Sequence, residues 1–108
     1  MLKMMIVAFA TSDRRLKENI TKIEDAVDKL NQITGVEYDW KEGMEEFHPN
    51  KGHDLGVIAQ ELQAIIPDAV TTRKSGYMAV KYEKIIPLLI EAIKDLDARL
   101  KECSSNKS

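Results

Sequence analysis

The stretch Tyr82–Cys103, YEKIIPLLIEAIKDLDARLKEC, decides how this chain folds. Tyr82, Ile86, Leu89, Ile93, Leu96, Leu100 and Cys103 are separated by 4, 3, 4, 3, 4 and 3 positions, the heptad spacing that draws one apolar seam along a helix. Ile85, Leu88 and Ala92 form a second apolar flank. So wide an apolar surface is hard to cover with a small domain of its own. One face is therefore expected to pack on its own chain, and the seam Ile86, Leu89, Ile93, Leu96 and Leu100 on symmetry-related copies. The alternative is a monomer in which both stripes face one core. Pro87 falls near the helix start, where its missing N–H costs least.

Working toward the N-terminus, Ala69–Thr72 and Tyr77–Tyr82 read as a hairpin around Lys74-Ser75-Gly76. Ala59–Ile66 reads as a short helix ended by Pro67, and Asp54–Ile58 as a short buried strand whose Gly56 admits a close neighbour. Residues 41–52, with Pro49, Asn50 and Gly52, form a loop. Val36, Tyr38 and Trp40 alternate with Glu37 and Asp39, the period of a strand with one buried face. Ile23, Ala26, Val27, Leu30 and Ile33 recur at helical spacing behind the capping-box pair Thr21 and Glu24, which predicts a helix over Lys22–Ile33 closed by Gly35. Thr11–Asn19 is polar, and residues 2–10 are apolar enough for a strand. The expectation is an α+β fold: a small antiparallel sheet, short helices, and a long C-terminal helix that forms a homotrimeric, coiled-coil-like bundle.

A length of 108 residues bounds the chain to one domain with a modest core. Sixteen Lys and Arg against eighteen Asp and Glu are interspersed along it, so no broad attraction to nucleic acid or anionic lipid is expected. Cys103, the single cysteine, forms no intrachain disulfide. The apolar start, MLKMMIVAFA, is too short to span a bilayer as a helix and has a weaker basic start and shorter core than a signal sequence.

Chemistry is sparse. A serine hydroxyl is a poor nucleophile until a base takes its proton, and a lysine serves only if burial or neighbouring cations favour its neutral form. Ser12 and Lys17 offer such a pair, with Arg14, Arg15 and Lys22 nearby to discourage the charged amine. Five residues is the wrong spacing for one helical face, so on spacing alone the stretch reads as a surface turn. His48 and His53 lack the partners of a four-ligand zinc site. His53 reads as a structural hydrogen-bonder or an assistant to Ser12. No metal or cofactor is expected, and there is no phosphate-binding glycine loop.

Four blocks change the weight of that serine. SDRRLKENI (Ser12–Ile20), GVEYDWK (Gly35–Lys41), HDLGVIAQEL (His53–Leu62) and GYMAVKYEKIIPLLIEAIKDL (Gly76–Leu96) together resemble the intramolecular chaperone auto-processing domain. That family of self-cleaving serine peptidases closes phage tailspikes, endosialidase-type tail fibres and neck appendages, and occurs in a membrane-tethered eukaryotic transcription factor of the myelin lineage. The resemblance implies a homotrimer that assists folding of the β-helical stalk fused before it and then cuts itself away between Thr11 and Ser12. Ser12 would be the nucleophile and Lys17 the general base, with Asp13 and Asn19 shaping the hook between them. It also implies residence in the host cytoplasm during virion assembly, with the stalk in the virion tail. Residues 1–11 are then an apolar strand or stalk remnant, 12–102 the chaperone domain and 103–108 a disordered tail. A homotrimerisation module that never cuts is the competing expectation.

Overall fold

The computed structural model describes residues 9–105 of the chain, so the strand expected over residues 2–10 lies almost wholly outside them. Their order is a one-turn 3-10 helix at Arg14–Leu16, α1 (Ala26–Leu30), β1 (Val36–Asp39), β2 (His53–Gly56), α2 (Ala59–Ile65), β3 (Val70–Thr72), β4 (Met78–Val80) and α3 (Ile86–Ser105). Further 3-10 turns at Pro67–Ala69 and Tyr82–Lys84 lead into β3 and α3. The fold is α+β.

The four strands make two separate antiparallel ribbons, β1 with β2 and β3 with β4, where one small sheet was expected. Pairing is local in each. Val36 faces Gly56 and Asp39 faces His53 across the first ribbon, and Val70 faces Val80 across the second. Along the chain α2 and the 3-10 turn at Pro67–Ala69 separate the two ribbons. Glu61 of α2 accepts hydrogen bonds from the Thr34 backbone N–H at 2.9 Å and its hydroxyl at 3.4 Å, which fastens the approach to β1.

The helix predicted over Lys22–Ile33 is much shorter. Asp25 has φ 54 and ψ 39, a left-handed conformation that cannot continue a right-handed helix, so α1 begins at Ala26 and residues 17–25 form an irregular strap. The apolar positions nonetheless do what their spacing implied. Ala26 and Val27 are buried against Leu88 and Ala92 of α3, with Ile23, Leu30 and Ile33 packed around them. A second cluster joins Leu62, Ala69 and Ile85, flanked by Val57, Val70 and Val80. Ile33 and Ile66 touch both clusters and make them one continuous core.

Pro87 occupies the first turn of α3, and the Leu89 N–H carries the helix past it by donating to the Ile85 carbonyl at 3.0 Å. The two stripes of α3 separate cleanly. Leu88 and Ala92 are buried on the chain's own core, whereas Ile86, Leu89, Ile93, Leu96 and Leu100 remain between 39% and 70% exposed. Helix geometry continues through Ser105, which corrects the disordered tail expected from Cys103; the last three residues lie outside the described part. No helix among the described residues is long and apolar enough to cross a membrane.

Candidate functional site

The polar stretch after Thr11 folds into a hook. Asp13, in an extended conformation, caps the turn at Arg14–Leu16 by accepting the Arg15 backbone N–H at 2.9 Å. The Arg15 guanidinium then grips the same carboxylate through Nε at 3.1 Å and Nη2 at 2.9 Å. That hydrogen-bonded cation, followed by the backbone N–H, holds the Asp13 carboxyl below the usual carboxylate range. Lys17 leaves the turn extended, at φ -119 and ψ 150. A tight turn between two extended limbs brings their side chains back together, and Lys17 Nζ donates to Ser12 Oγ at 2.7 Å.

The spacing objection thus applies only to an α-helix, which this stretch is not. Two of the cations expected to crowd Lys17 are engaged elsewhere, Arg15 with Asp13 and Lys22 with Glu91. Thr11 and the entire hook are exposed. Asn19 contributes a left-handed backbone, φ 54, that turns the chain from the hook into the strap; asparagine tolerates that region better than most side chains.

His53 is placed elsewhere. Its Nε2 lies 3.0 Å from Glu37 Oε1 and its Nδ1 3.4 Å from Asp39 Oδ1, so both ring nitrogens face carboxylates on the outer side of the first ribbon. Within one chain it is therefore a cross-strand partner rather than an assistant to Ser12. His48 accepts the Asn50 N–H through Nδ1 at 3.1 Å and stacks on Trp40 with centroids 4.4 Å apart.

An open groove of about 680 Å³ runs between the two ribbons, with Tyr38, Trp40, Phe47, Tyr77 and Tyr82 in its walls. The Trp40 indole donates to Asp54 Oδ2 at 3.0 Å and the Leu55 N–H to Oδ1 at 2.8 Å; these bonds hold the Asp54 carboxyl low. Burial, reinforced by Asp54 and Tyr82, pushes the Tyr38 phenol up. Neither Ser12 nor Lys17 borders the groove.

With this geometry in place, the comparison with known proteins is decisive. The family described as chaperone of endosialidase, whose designation is that of a peptidase, matches residues 12–71, beginning at the hook serine. The chain belongs to this chaperone family. Within it, the chain is 38% identical over 103 residues to the long tail fiber protein Gp37 of Enterobacteria phage K3, covering 90% of this chain and 8% of that protein. The phage T2 counterpart is equally similar, with 7% of its length covered. Myelin regulatory factor homolog 1 of Caenorhabditis elegans is 36% identical over 107 residues, covering 84% of this chain and 11% of the relative. The chain thus corresponds to a small part of much longer proteins. The family match takes in the hook, α1, the first ribbon and α2 and stops in β3, short of α3.

One polar side chain beside the strap was not singled out from the sequence. Glu91 lies on α3 between buried Leu88 and Ala92, with its side chain 16% exposed and directed at the strap. Its signal was a charge on the core-facing side of an otherwise regular amphipathic helix.

Proposed function

We propose that this chain is a C-terminal chaperone domain that assembles as a homotrimer through α3, assists folding of a fibrous stalk preceding it, and then frees that stalk by one cut between Thr11 and Ser12. The long tail fibre relatives support a tail-fibre stalk as client and the host cytoplasm during virion assembly as the setting. The observation that carries the cutting step is the 2.7 Å contact between Lys17 Nζ and Ser12 Oγ, made across five residues by a purpose-shaped turn.

The cut follows from that contact. With its amine neutral, Lys17 takes the proton from Ser12 Oγ as the oxygen attacks the Thr11 carbonyl carbon, closing a five-membered ring through the serine's own Cβ, Cα and N. The C–N bond breaks and Lys17 returns the proton to the departing α-amine of Ser12. Water then hydrolyses the Thr11 ester, so the net reaction consumes one water and restores Ser12. Attack from a neighbouring subunit's serine balances in the same way.

In the isolated chain the lysine is a hydrogen-bond donor to the serine and the hook is exposed. The active form requires the neutral amine, which burial favours by disfavouring charge. Assembly or the docked stalk is the source of that burial. Within the single chain the two side chains are already in contact, so on this reading assembly supplies burial rather than closure of the hook.

Expression behind a fibre stalk, followed by intact-mass analysis, tests the reading. The expected result is a fragment beginning at Ser12 that is absent from Ser12→Ala and Lys17→Ala. A wild-type fusion that stays full length while trimeric removes the peptidase and leaves the trimerisation module, a reading supported independently by the exposed seam.

A further inference from the structure

The hook is exposed, and so is the strap that follows it, until Ile23 enters the core against α1 and α3. Beside that entry point Lys22 Nζ stands 3.9 Å from Glu91 Oε1. Among the described residues this is the polar side-chain contact that ties the hook and strap to α3. Glu91 is unusual in two respects. Its Oε1 is buried with no hydrogen-bond donor, while Oε2 accepts a 3.4 Å bond from Lys94. It also lies on the face of α3 opposite the exposed seam, beside Leu88 and Ala92.

A buried carboxylate oxygen without a donor is a poorly satisfied group, and the nearest cation is within electrostatic reach but outside hydrogen-bond range. Reaching the ~2.8 Å of a charge-assisted bond takes a movement of about 1 Å by Lys22. The Lys22 side chain is 69% exposed, so it can close that gap by a change in its own rotamer. Asn19 and Asp25, each at φ 54, divide the strap from the hook on one side and from α1 on the other.

We infer that Glu91 is a positioning residue for self-cleavage: through Lys22 it sets how the Ser12–Lys17 hook is held against α3. It touches neither the nucleophile nor the base. One helix then carries the assembly seam on one face and the hook's tether on the other, so a small shift of α3 is transmitted to the segment bearing the scissile bond. The inference rests on the cleavage reading for its consequence, and on the Lys22–Glu91 contact for its structural part.

The test uses the stalk fusion in wild-type, Glu91→Gln, Lys22→Met and charge-swapped Lys22→Glu/Glu91→Lys forms. Cleavage time courses are read beside trimer mass and melting temperature. Glu91→Gln and Lys22→Met are each expected to slow cleavage about tenfold, the effect of losing one partly buried ion pair on a barrier, with mass and melting temperature retained. The swap is expected to recover most of the rate. A wild-type rate in both single variants, slowing that merely tracks lost trimer or lower melting temperature, or no recovery in the swap overturns the inference. If the wild-type fusion is never cut, it is the cleavage reading that fails. Deuterium exchange of the amides of residues 17–23 then reads the tether directly: faster exchange in Glu91→Gln supports it, and unchanged exchange overturns it.

Discussion

Leu88 and Ile93 lie on one helix, yet truncating each is expected to damage a different object. Leu88 is 1% exposed and packs on α1, so Leu88→Ala leaves a cavity inside the chain and costs about 3 kcal/mol of its stability. Ile93 is 65% exposed in the single chain. Fully burying an isoleucine contributes ~1.5–3 kcal/mol, and about two-thirds of that is still to be gained by assembly, or roughly 1–2 kcal/mol per chain. Three copies make about 3–6 kcal/mol per trimer, a loss of roughly 10²–10⁴ in the trimer formation constant. Sedimentation equilibrium over a concentration series, beside thermal melts, separates the two. Ile93→Ala should shift the trimer to higher concentration and leave the dilute chain's fold intact; Leu88→Ala should lower the melting temperature at every concentration. A wild type that stays monomeric throughout, or an Ile93→Ala curve that overlays it, refutes the reasoning about the seam.

Gly56 is where Tyr82 approaches: a Cβ there would meet the Tyr82 hydroxyl at 2.7 Å and the Tyr38 hydroxyl at 3.3 Å. Gly56→Ala is therefore expected to cost ~1–3 kcal/mol in a denaturant melt, with Tyr82→Phe in the same chain recovering much of it; a wild-type midpoint in Gly56→Ala would contradict this. Asp54 is stabilised as a carboxylate by Trp40 and Leu55, so its contribution is full above the ordinary carboxylate pKa and is lost as pH falls through its lower folded value. Trp40→Phe should move the Asp54 titration up toward the ordinary value, read by carboxyl NMR, and an unmoved titration counts against the indole bond as the cause. Cys103 continues the seam and is exposed in the single chain. Mild oxidation of a threefold seam should give, on a non-reducing gel, a dimer band holding twice as much chain as the monomer band, since two of three thiols pair, whereas an unpaired seam gives monomer alone.

The long helix, α2 and the first ribbon were legible because each writes its period or its stop into adjacent residues: 4-3 spacing in α3, Pro67 after α2, Val36 and Tyr38 alternating with Glu37 and Asp39. The strap was not. Ile23, Ala26 and Val27 carry a helical period because they serve one core face, and burial alone does not reveal that Ile23 reaches that face from outside the helix. Asp25 at φ 54 is the physical reason, and aspartate is compatible with either conformation. The hook was hidden for a related reason. Ser12 and Lys17 meet because a capped 3-10 turn sits between extended limbs, and residue spacing predicts contacts only where the backbone period is known. The division of the strands into two ribbons is a matter of which strands pair, β1 with β2 and β3 with β4, and no strand's own sequence records its partner.

Placement of the hook constrains how cutting is coupled to folding. Glu91, which meets Lys22 of the strap, lies on the side of α3 away from the exposed seam, with Leu88 and Ala92 between the two. In the proposed trimer, packing of the seams does not by itself cover the Glu91 side of α3 to which the strap is held. For the proposed cut, the solvent exclusion that favours a neutral Lys17 then has to come from a surface other than the seam, and a stalk joined to the hook through Thr11 is the proposed source. On this argument a folded stalk, rather than the trimer alone, is the trigger. A fusion whose stalk carries core substitutions that prevent its folding should remain trimeric through α3 and stay uncut, and restoring the stalk core should restore cleavage. Mass analysis of the soluble trimer fraction decides it: cutting of the unfolded-stalk trimer at the wild-type rate would show that assembly alone suffices and would return the trigger to the contacts between subunits.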